Sequence, residues 1–199
     1  QKATPEMAIK IALDSKIQYP AACNAMETLL IHEAIAPKIL PELIEKFNEA
    51  KVELVGCLKT QLLIPRIKKA DYRDWDTEYT ALKLSIKIVD SFEEAVAHIN
   101  KHGSGHTDAI VTEDSVVAER FQNEVDSSSV MVNASTRFAD GFRFGFGAEI
   151  GISTNKTHAR GPVGLEGLVI YKYKINGKGQ TVAEYSGNGA REYTHKRID

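Results

Sequence analysis

Apolar residues recur along this chain with two alternating periods. Thr4-Pro5-Glu6 opens a helix, with Thr at the N-cap, Pro at the first helical position and Glu in the first turn. Ala8, Ile9, Ile11 and Ala12 continue it to near Ile17, ahead of Pro20. ETLLIH, from Glu27 to His32, is an apolar run of strand length. Pro37 to Ala50 then puts Ile39, Leu40, Leu43, Ile44 and Phe47 on one helical face. Val52 to Cys57 is strand-like again, and Leu82 to Val89 alternates with period two. Ser91 and Glu94 make a capping box for a helix over residues 91–100. A Gly-rich turn, HGSGHTD, leads into a strand at Ala109 to Val111. A helix over Asp114 to Val125 and a strand over Val130 to Val132 follow. Strands alternating with helices predict an α/β fold, a mostly parallel sheet flanked by helices.

Two stretches break the pattern. Residues 58–80 hold Pro65, a basic patch at Arg66, Lys68 and Lys69, and the acidic run DYRDWDTEYT, with no clear period. Past residue 133 the chain turns to Gly and Phe, as in GFRFGFGAEIG, and reads as ordered loop. Residues 167–185 read as two extended runs joined by an Asn176-Gly177 turn, a protruding C-terminal β-hairpin that can pair with another subunit. The division is therefore a body over residues 1–166 and an oligomerisation hairpin and tail over 167–199.

Composition narrows the function classes. With 199 residues, 43% of them hydrophobic, the chain is long enough to bury a real core. A formal net charge of −2 gives no global attraction to nucleic acid or to an anionic membrane, and no apolar run approaches a membrane span. QKATPEMAIK is not a signal peptide, so Cys23 and Cys57 are expected as reduced thiols and the sequons at Asn133 and Asn155 as coincidental.

The candidate chemistry centres on YPAACNAMETLLIH. Pro20 breaks the helix before Cys23, and Ala21 and Ala22 keep bulk away from it. A helical turn after the cysteine would lower the thiol pKa and offer N–H donors to an oxyanion. The residues alone leave a packed thiol and a reactive one both open. Cys57, closing an apolar strand, reads as structural. His98, His102 and His106 fall four apart, but Gly103 and Gly105 break any helix there, so no metal site is expected. No GxGxxG or Walker A pattern is present. Arg137, Arg143 and Arg160 lie among glycines and small polar residues, where they either grip phosphate or carboxylate or pair with Asp140 and Glu149.

Four segments together resemble a known family: YPAACNAMETLLIH, TEYTALKLSIKIVDSFEEAVAHINKHGSGHTDAIVTED, VNASTRFADGFRFGFGAEIGIST and HARGPVGLEGL. They are similar to gamma-glutamyl phosphate reductases (glutamate-5-semialdehyde dehydrogenases) of the aldehyde dehydrogenase superfamily. YPAACNAMETLL and the long tail look most like the C-terminal part of bifunctional pyrroline-5-carboxylate synthase. The resemblance implies an aldehyde-dehydrogenase-like catalytic domain and a step of proline biosynthesis. There, Cys23 attacks the acyl phosphate, phosphate leaves, and NADPH reduces the thioester to glutamate 5-semialdehyde. Backbone N–H groups at Cys23 and Asn24 would support the oxyanion. Glu78 matches a glutamate that touches the nicotinamide ribose, although its local sequence reads as a solvated carboxylate. Charge logic adds Ser135, Thr136, Arg137 and Arg143 as candidates for the substrate's phosphate and carboxylate.

The resemblance further implies a homo-oligomer, a glutamate kinase domain in the parent chain, and an NADPH-binding domain ahead of the cysteine that this chain lacks. On that reading the chain alone keeps a reactive thiol without turnover. The compartment is mitochondrial for an animal bifunctional enzyme and cytoplasmic otherwise. Two alternatives stand beside it, an aldehyde dehydrogenase oxidising free aldehydes and a non-catalytic interaction module with an inert Cys23.

Overall fold

A computed structural model describes residues 2–197. Outside residues 58–80, its first half is built as the periodicity predicts. Helix α1 (Pro5–Ile17) leads to strand β1 (Thr28–His32), helix α2 (Ala36–Glu49) and strand β2 (Glu53–Gly56). A short helix α3 (Leu58–Leu63) and a two-residue strand β3 (Lys68–Lys69) precede β4 (Lys83–Val89). Among the described residues these strands form one sheet in the order β1-β4-β2-β3, parallel throughout. The long central strand β4 pairs Leu29 with Ile86 on one side and Leu54 with Leu84 on the other. Parallel strands need crossovers, and the helices supplying them cover the sheet. Leu84, Ser85, Ile86, Ile88 and Val89 are accordingly buried in near-continuous sequence.

The core lies between this sheet and α2. Ile39, Leu40, Leu43, Ile44 and Phe47, the five residues placed on one face by spacing, are each at most 3% exposed. Ile9 and Ala12 of α1 join the same cluster.

The second half follows with helix α4 (Phe92–His102), strand β5 (Thr107–Ile110), helix α5 (Ser115–Glu124) and strand β6 (Ser129–Val132). Strands β5 and β6 pair in parallel as a separate sheet over a small core of Val96, Phe121 and Val125. The Ser91 hydroxyl caps α4 by accepting from the Glu94 N–H at 3.1 Å. Glu94 reaches back one residue further than a capping box requires, to the Asp90 N–H. Asn133 closes β6 with φ +54°, and its side-chain amide bonds both the N–H and the carbonyl of Thr112 at 2.9 Å. Those two hydrogen bonds pin Asn133 to the chain just past the end of β5.

The stretch that resisted reading, residues 58–80, resolves into α3, the edge strand β3 and a 3-10 turn over Tyr72–Asp76. Two of its three aspartates are caps, and the third, Asp76, pairs with His102. Asp71 accepts from the Arg73 N–H at 3.0 Å, and Asp74 accepts from the Asp71 N–H at 2.6 Å. The turn delivers residues 77–80 to the start of β4.

The hairpin expected over 167–185 is not formed. The antiparallel pair is instead β7 (Gly151–Ser153) with β8 (Gly161–Val163). Two strands exposed on both faces bury too little to hold together in water. Contacts divide the chain into Gln1–Leu168 and Val169–Asp199. Taken by itself, the second unit has no strand among the described residues, only a 3-10 turn over Val182–Tyr185. Its large apolar side chains stand in solvent, Ile170 at 98% and Ile175 at 90% exposure. No helix among the described residues is long and apolar enough to cross a membrane.

Candidate active site

Cys23 sits in a run of turns between α1 and β1, and it is solvent-exposed. The loop is tied at both ends. The Ala22 N–H donates to the Tyr19 carbonyl (3.2 Å), the Ala25 N–H to Ala22 (2.8 Å), and the Met26 N–H back to Ser15 (2.8 Å). The Asn24 amide donates to the Ala139 carbonyl at 2.7 Å, fastening the loop to the chain 115 residues later. Asn24 is thus a buried brace whose side-chain N–H is already committed, while its Oδ1 is buried without a protein partner.

A cavity of about 870 Å3 opens beside the sulfur, lined by Cys23, Asn24, Glu78, Ser104, Thr107 and Thr136 among others. The capped turn at Tyr72–Asp76 carries exposed Glu78 onto this wall. The candidates at 135–143 separate into two kinds. Thr136 lines the cavity, and its buried hydroxyl has no protein partner. Arg137 donates from Nε to Gln18 (2.8 Å), lies over the Tyr19 ring, and is close enough to Cys23 to favour the thiolate. Ser135, by contrast, is 5% exposed, bonds the Ser15 hydroxyl at 3.2 Å and accepts from the Arg137 N–H. Arg143 donates to the Arg137 carbonyl at 2.6 Å and pairs with Asp140, bracing the loop. Arg160 pairs with Asp126. Ser135 and Arg143 are committed to contacts within the protein, whereas Thr136 lines the cavity and the charge of Arg137 acts on the sulfur.

The local electrostatics correct one expectation. No helix follows Cys23, so no helix N-terminus stabilises the thiolate. Partial burial instead pushes the Cys23 thiol up, with Glu149 and Glu78 adding to the shift and Arg137 opposing it.

His106 was singled out in the sequence only for its spacing, and its place is informative. Its Nε2 lies 3.1 Å from the Cys23 sulfur. Burial pushes its imidazole pKa down, opposed by Glu149 and Glu78. The regular spacing of the three histidines has no common target. His98 and His102 stack on α4 with ring centres 4.5 Å apart, while His106 turns away past Gly103 to the cysteine. Among the described residues no cluster of three His, Cys, Asp or Glu could hold a metal ion. Cys57 is half-buried, bonded to the Thr60 hydroxyl and the Ile88 N–H in the core, consistent with a structural thiol.

Comparison with known proteins gives this geometry a context. Residues 68–149 match the aldehyde dehydrogenase family model. The chain is 57% identical over 198 residues to the gamma-glutamyl phosphate reductase of Acaryochloris marina, covering all of this chain and 46% of that protein. The crystal structure of gamma-glutamyl phosphate reductase from Thermotoga maritima superposes with a TM-score of 0.88 at 45% identity, over 91% of this chain and 44% of that one. At the level of fold alone, glyceraldehyde-3-phosphate dehydrogenase of Methanocaldococcus jannaschii, solved with NADP, superposes with a TM-score of 0.53 at 19% identity, over 68% of this chain and 38% of that one. The chain thus spans less than half the length of the relatives it matches.

Proposed function

This chain has the aldehyde-dehydrogenase-like α/β fold and is a homologue of gamma-glutamyl phosphate reductases along its whole length, and from that premise we propose that it is the cysteine-bearing catalytic part of such an enzyme. The reaction is reduction of gamma-glutamyl phosphate to glutamate 5-semialdehyde, in proline biosynthesis. The observation that carries this reading is the exposed Cys23 on a tied-down turn, opening onto a large cavity that it shares with Glu78 and Thr136.

Each residue has a defined task. The Cys23 sulfur attacks the acyl carbon, the bond to phosphate breaks, and a thioester remains. Arg137, lying over the Tyr19 ring, attracts the departing phosphate or the substrate carboxylate, and Thr136 offers a hydroxyl from the cavity wall. The backbone N–H groups of Cys23 and Asn24 are the proposed donors to the developing oxyanion. Asn24 keeps that turn rigid through its bond to Ala139.

A nicotinamide cofactor, NADPH, supplies hydride to the thioester when bound. Glu78 fits its nicotinamide end, since an exposed carboxylate on the cavity wall can accept from ribose hydroxyls. The dinucleotide phosphates call for a Gly-rich turn at a helix N-terminus, and the sequence has no GxGxxG. Most of the cofactor's contacts are proposed to come from outside this chain.

The parent enzyme is proposed to self-associate through the unit Val169–Asp199, whose exposed apolar side chains suit an interface. It is further proposed to carry a glutamate kinase domain, with a mitochondrial location in that bifunctional form and a cytoplasmic one otherwise.

The decisive experiment is a reductase assay on the parent enzyme, run in reverse as phosphate-dependent reduction of NADP by glutamate 5-semialdehyde. Cys23→Ala should abolish the rate while leaving the fold intact by circular dichroism. Retained activity would remove Cys23 as nucleophile. Oxidation of simple aldehydes without any need for phosphate would point to a hydrolytic aldehyde dehydrogenase.

A further inference from the structure

The contact between His106 and Cys23 joins two segments 83 residues apart in sequence, and both ends are fixed. The cysteine turn is tied to Ser15, Tyr19 and Ala139, as described above. On the other side Gly105, at φ +72°, turns the chain out of α4, where a β-carbon would be strained. The His106 carbonyl then accepts from the Ser128 hydroxyl at 2.7 Å and from the Ser129 N–H at 3.0 Å. The imidazole is 4% exposed, so it cannot swing away into solvent.

Its second nitrogen decides what the first can do. Nδ1 lies 2.7 Å from the Thr107 hydroxyl. When Nδ1–H donates to that oxygen, Nε2 carries a lone pair and accepts the thiol S–H. We propose that His106 is a catalytic residue, the base that takes the Cys23 thiol proton as sulfur attacks, and that Thr107 is the positioning residue that selects its tautomer; the role rests on the reductase reading above.

The proton balance closes. The S–H bond breaks as the S–C bond forms, and the proton moves to Nε2. The acyl–oxygen bond breaks with its electron pair, and the departing phosphate takes up the one solvent proton (H+) that the net reaction consumes. Once the thioester carbon is reduced, the imidazolium would protonate the new alkoxide. On collapse of the thiohemiacetal the C–S bond breaks, the hydroxyl proton passes through His106 to sulfur, and aldehyde and thiol are restored.

The charged groups around the pair favour transfer on demand. Burial disfavours both the imidazolium and the thiolate, so the resting pair is neutral. The charges of Glu78 and Glu149 stabilise an imidazolium and oppose a free thiolate, while Arg137 stabilises the thiolate.

The test uses this chain and a small alkylating agent, so it needs neither substrate nor cofactor. Iodoacetamide modification of Cys23, resolved from Cys57 by peptide mass spectrometry, is followed from pH 5 to pH 10. With a His106 base the wild-type rate levels to a plateau below the thiol pKa and falls again only as the imidazole protonates. His106→Gln removes the plateau, so its rate keeps dropping tenfold per pH unit and lies about a hundredfold below wild type at neutral pH. Thr107→Val should lower the plateau and Thr107→Ser should restore it, while the Cys57 rate stays unchanged in all variants. A wild-type curve with a single ionisation near the thiol pKa overturns the proposal, whether or not the His106 variant folds. A wild-type plateau that survives in His106→Gln overturns it too. A plateau that depends on His106, in a parent enzyme that does not act on gamma-glutamyl phosphate, keeps the Cys–His pair and removes the reductase reading instead.

Discussion

Lys16 is a fully buried cation on α1, 3.0 Å from Glu27 just ahead of β1. Burial pushes the lysine pKa down and the glutamate pKa up, and each partner opposes the shift in the other. Removing one partner strands a charge, so Glu27→Leu should cost about 3–5 kcal/mol in urea denaturation. Lys16→Met combined with Glu27→Leu should recover most of that loss, and a double mutant as unstable as the single would show the pair itself to be the source of stability. The brace on the cysteine turn is a smaller matter of the same kind. Asn24→Ala leaves the Ala139 carbonyl unpaired and should cost about 1–3 kcal/mol. It should also slow Cys23 alkylation by loosening the loop. At this scale the sequence was partly legible. Cys23, Asn24, Thr136 and Arg137 could be nominated from residue type and resemblance, and they do share one region. Ser135 and Arg143 could not be separated from them, because a serine committed to Ser15 reads the same in sequence as one facing a ligand.

Elements carry their own tests. Gly56 in β2 is small because α3 and the chain beyond it come close. A β-carbon there would meet Thr60 Cγ2 at 2.8 Å and Ile67 Cγ2 at 3.0 Å. Gly56→Ala should therefore destabilise by about 1–3 kcal/mol, read as a lower denaturation midpoint at unchanged slope. Helix α4 offers a titration. His98 is buried against β4, with Lys87 Nζ 3.3 Å from Nδ1 and Trp75 edge-on at 5.5 Å. Burial first, then the charges of Lys87 and His102, pull its pKa down to about 4. An unfolded chain takes up this proton near 6.5, the folded chain only near 4. Between those values the unfolded state binds more protons, so stability falls as pH falls, by up to about 3 kcal/mol. His98→Leu should flatten that slope, and an NMR titration midpoint near 6.5 would contradict it. The helices and strands were readable because burial imposes their periods. The turn at Tyr72–Asp76 was not, since 3-10 turns have no hydrophobic repeat. Asp71 followed three residues on by Asp74 was its available signal.

At the scale of the whole molecule, the unit Val169–Asp199 leaves Ile170 and Ile175 in water. The proposed self-association would cover these side chains. Changing both isoleucines to lysine should lower the mass of the parent enzyme by light scattering, with the melting of this chain unaltered. An unchanged mass would place the interface elsewhere. Alternating sequence in this unit suggested a hairpin, yet strand propensity needs a face to bury, and the unit supplies none by itself. By itself the sequence determined helices α1, α2, α4 and α5, the strands β1, β2, β4, β5 and β6 with their parallel arrangement, and the break in the chain before Cys23, because those follow from local periods and from residues that break them. Only the tertiary structure decided which side chains meet at the sulfur. The approach of His106 to Cys23 depends on where two loops 83 residues apart come to rest, and no local pattern encodes that distance.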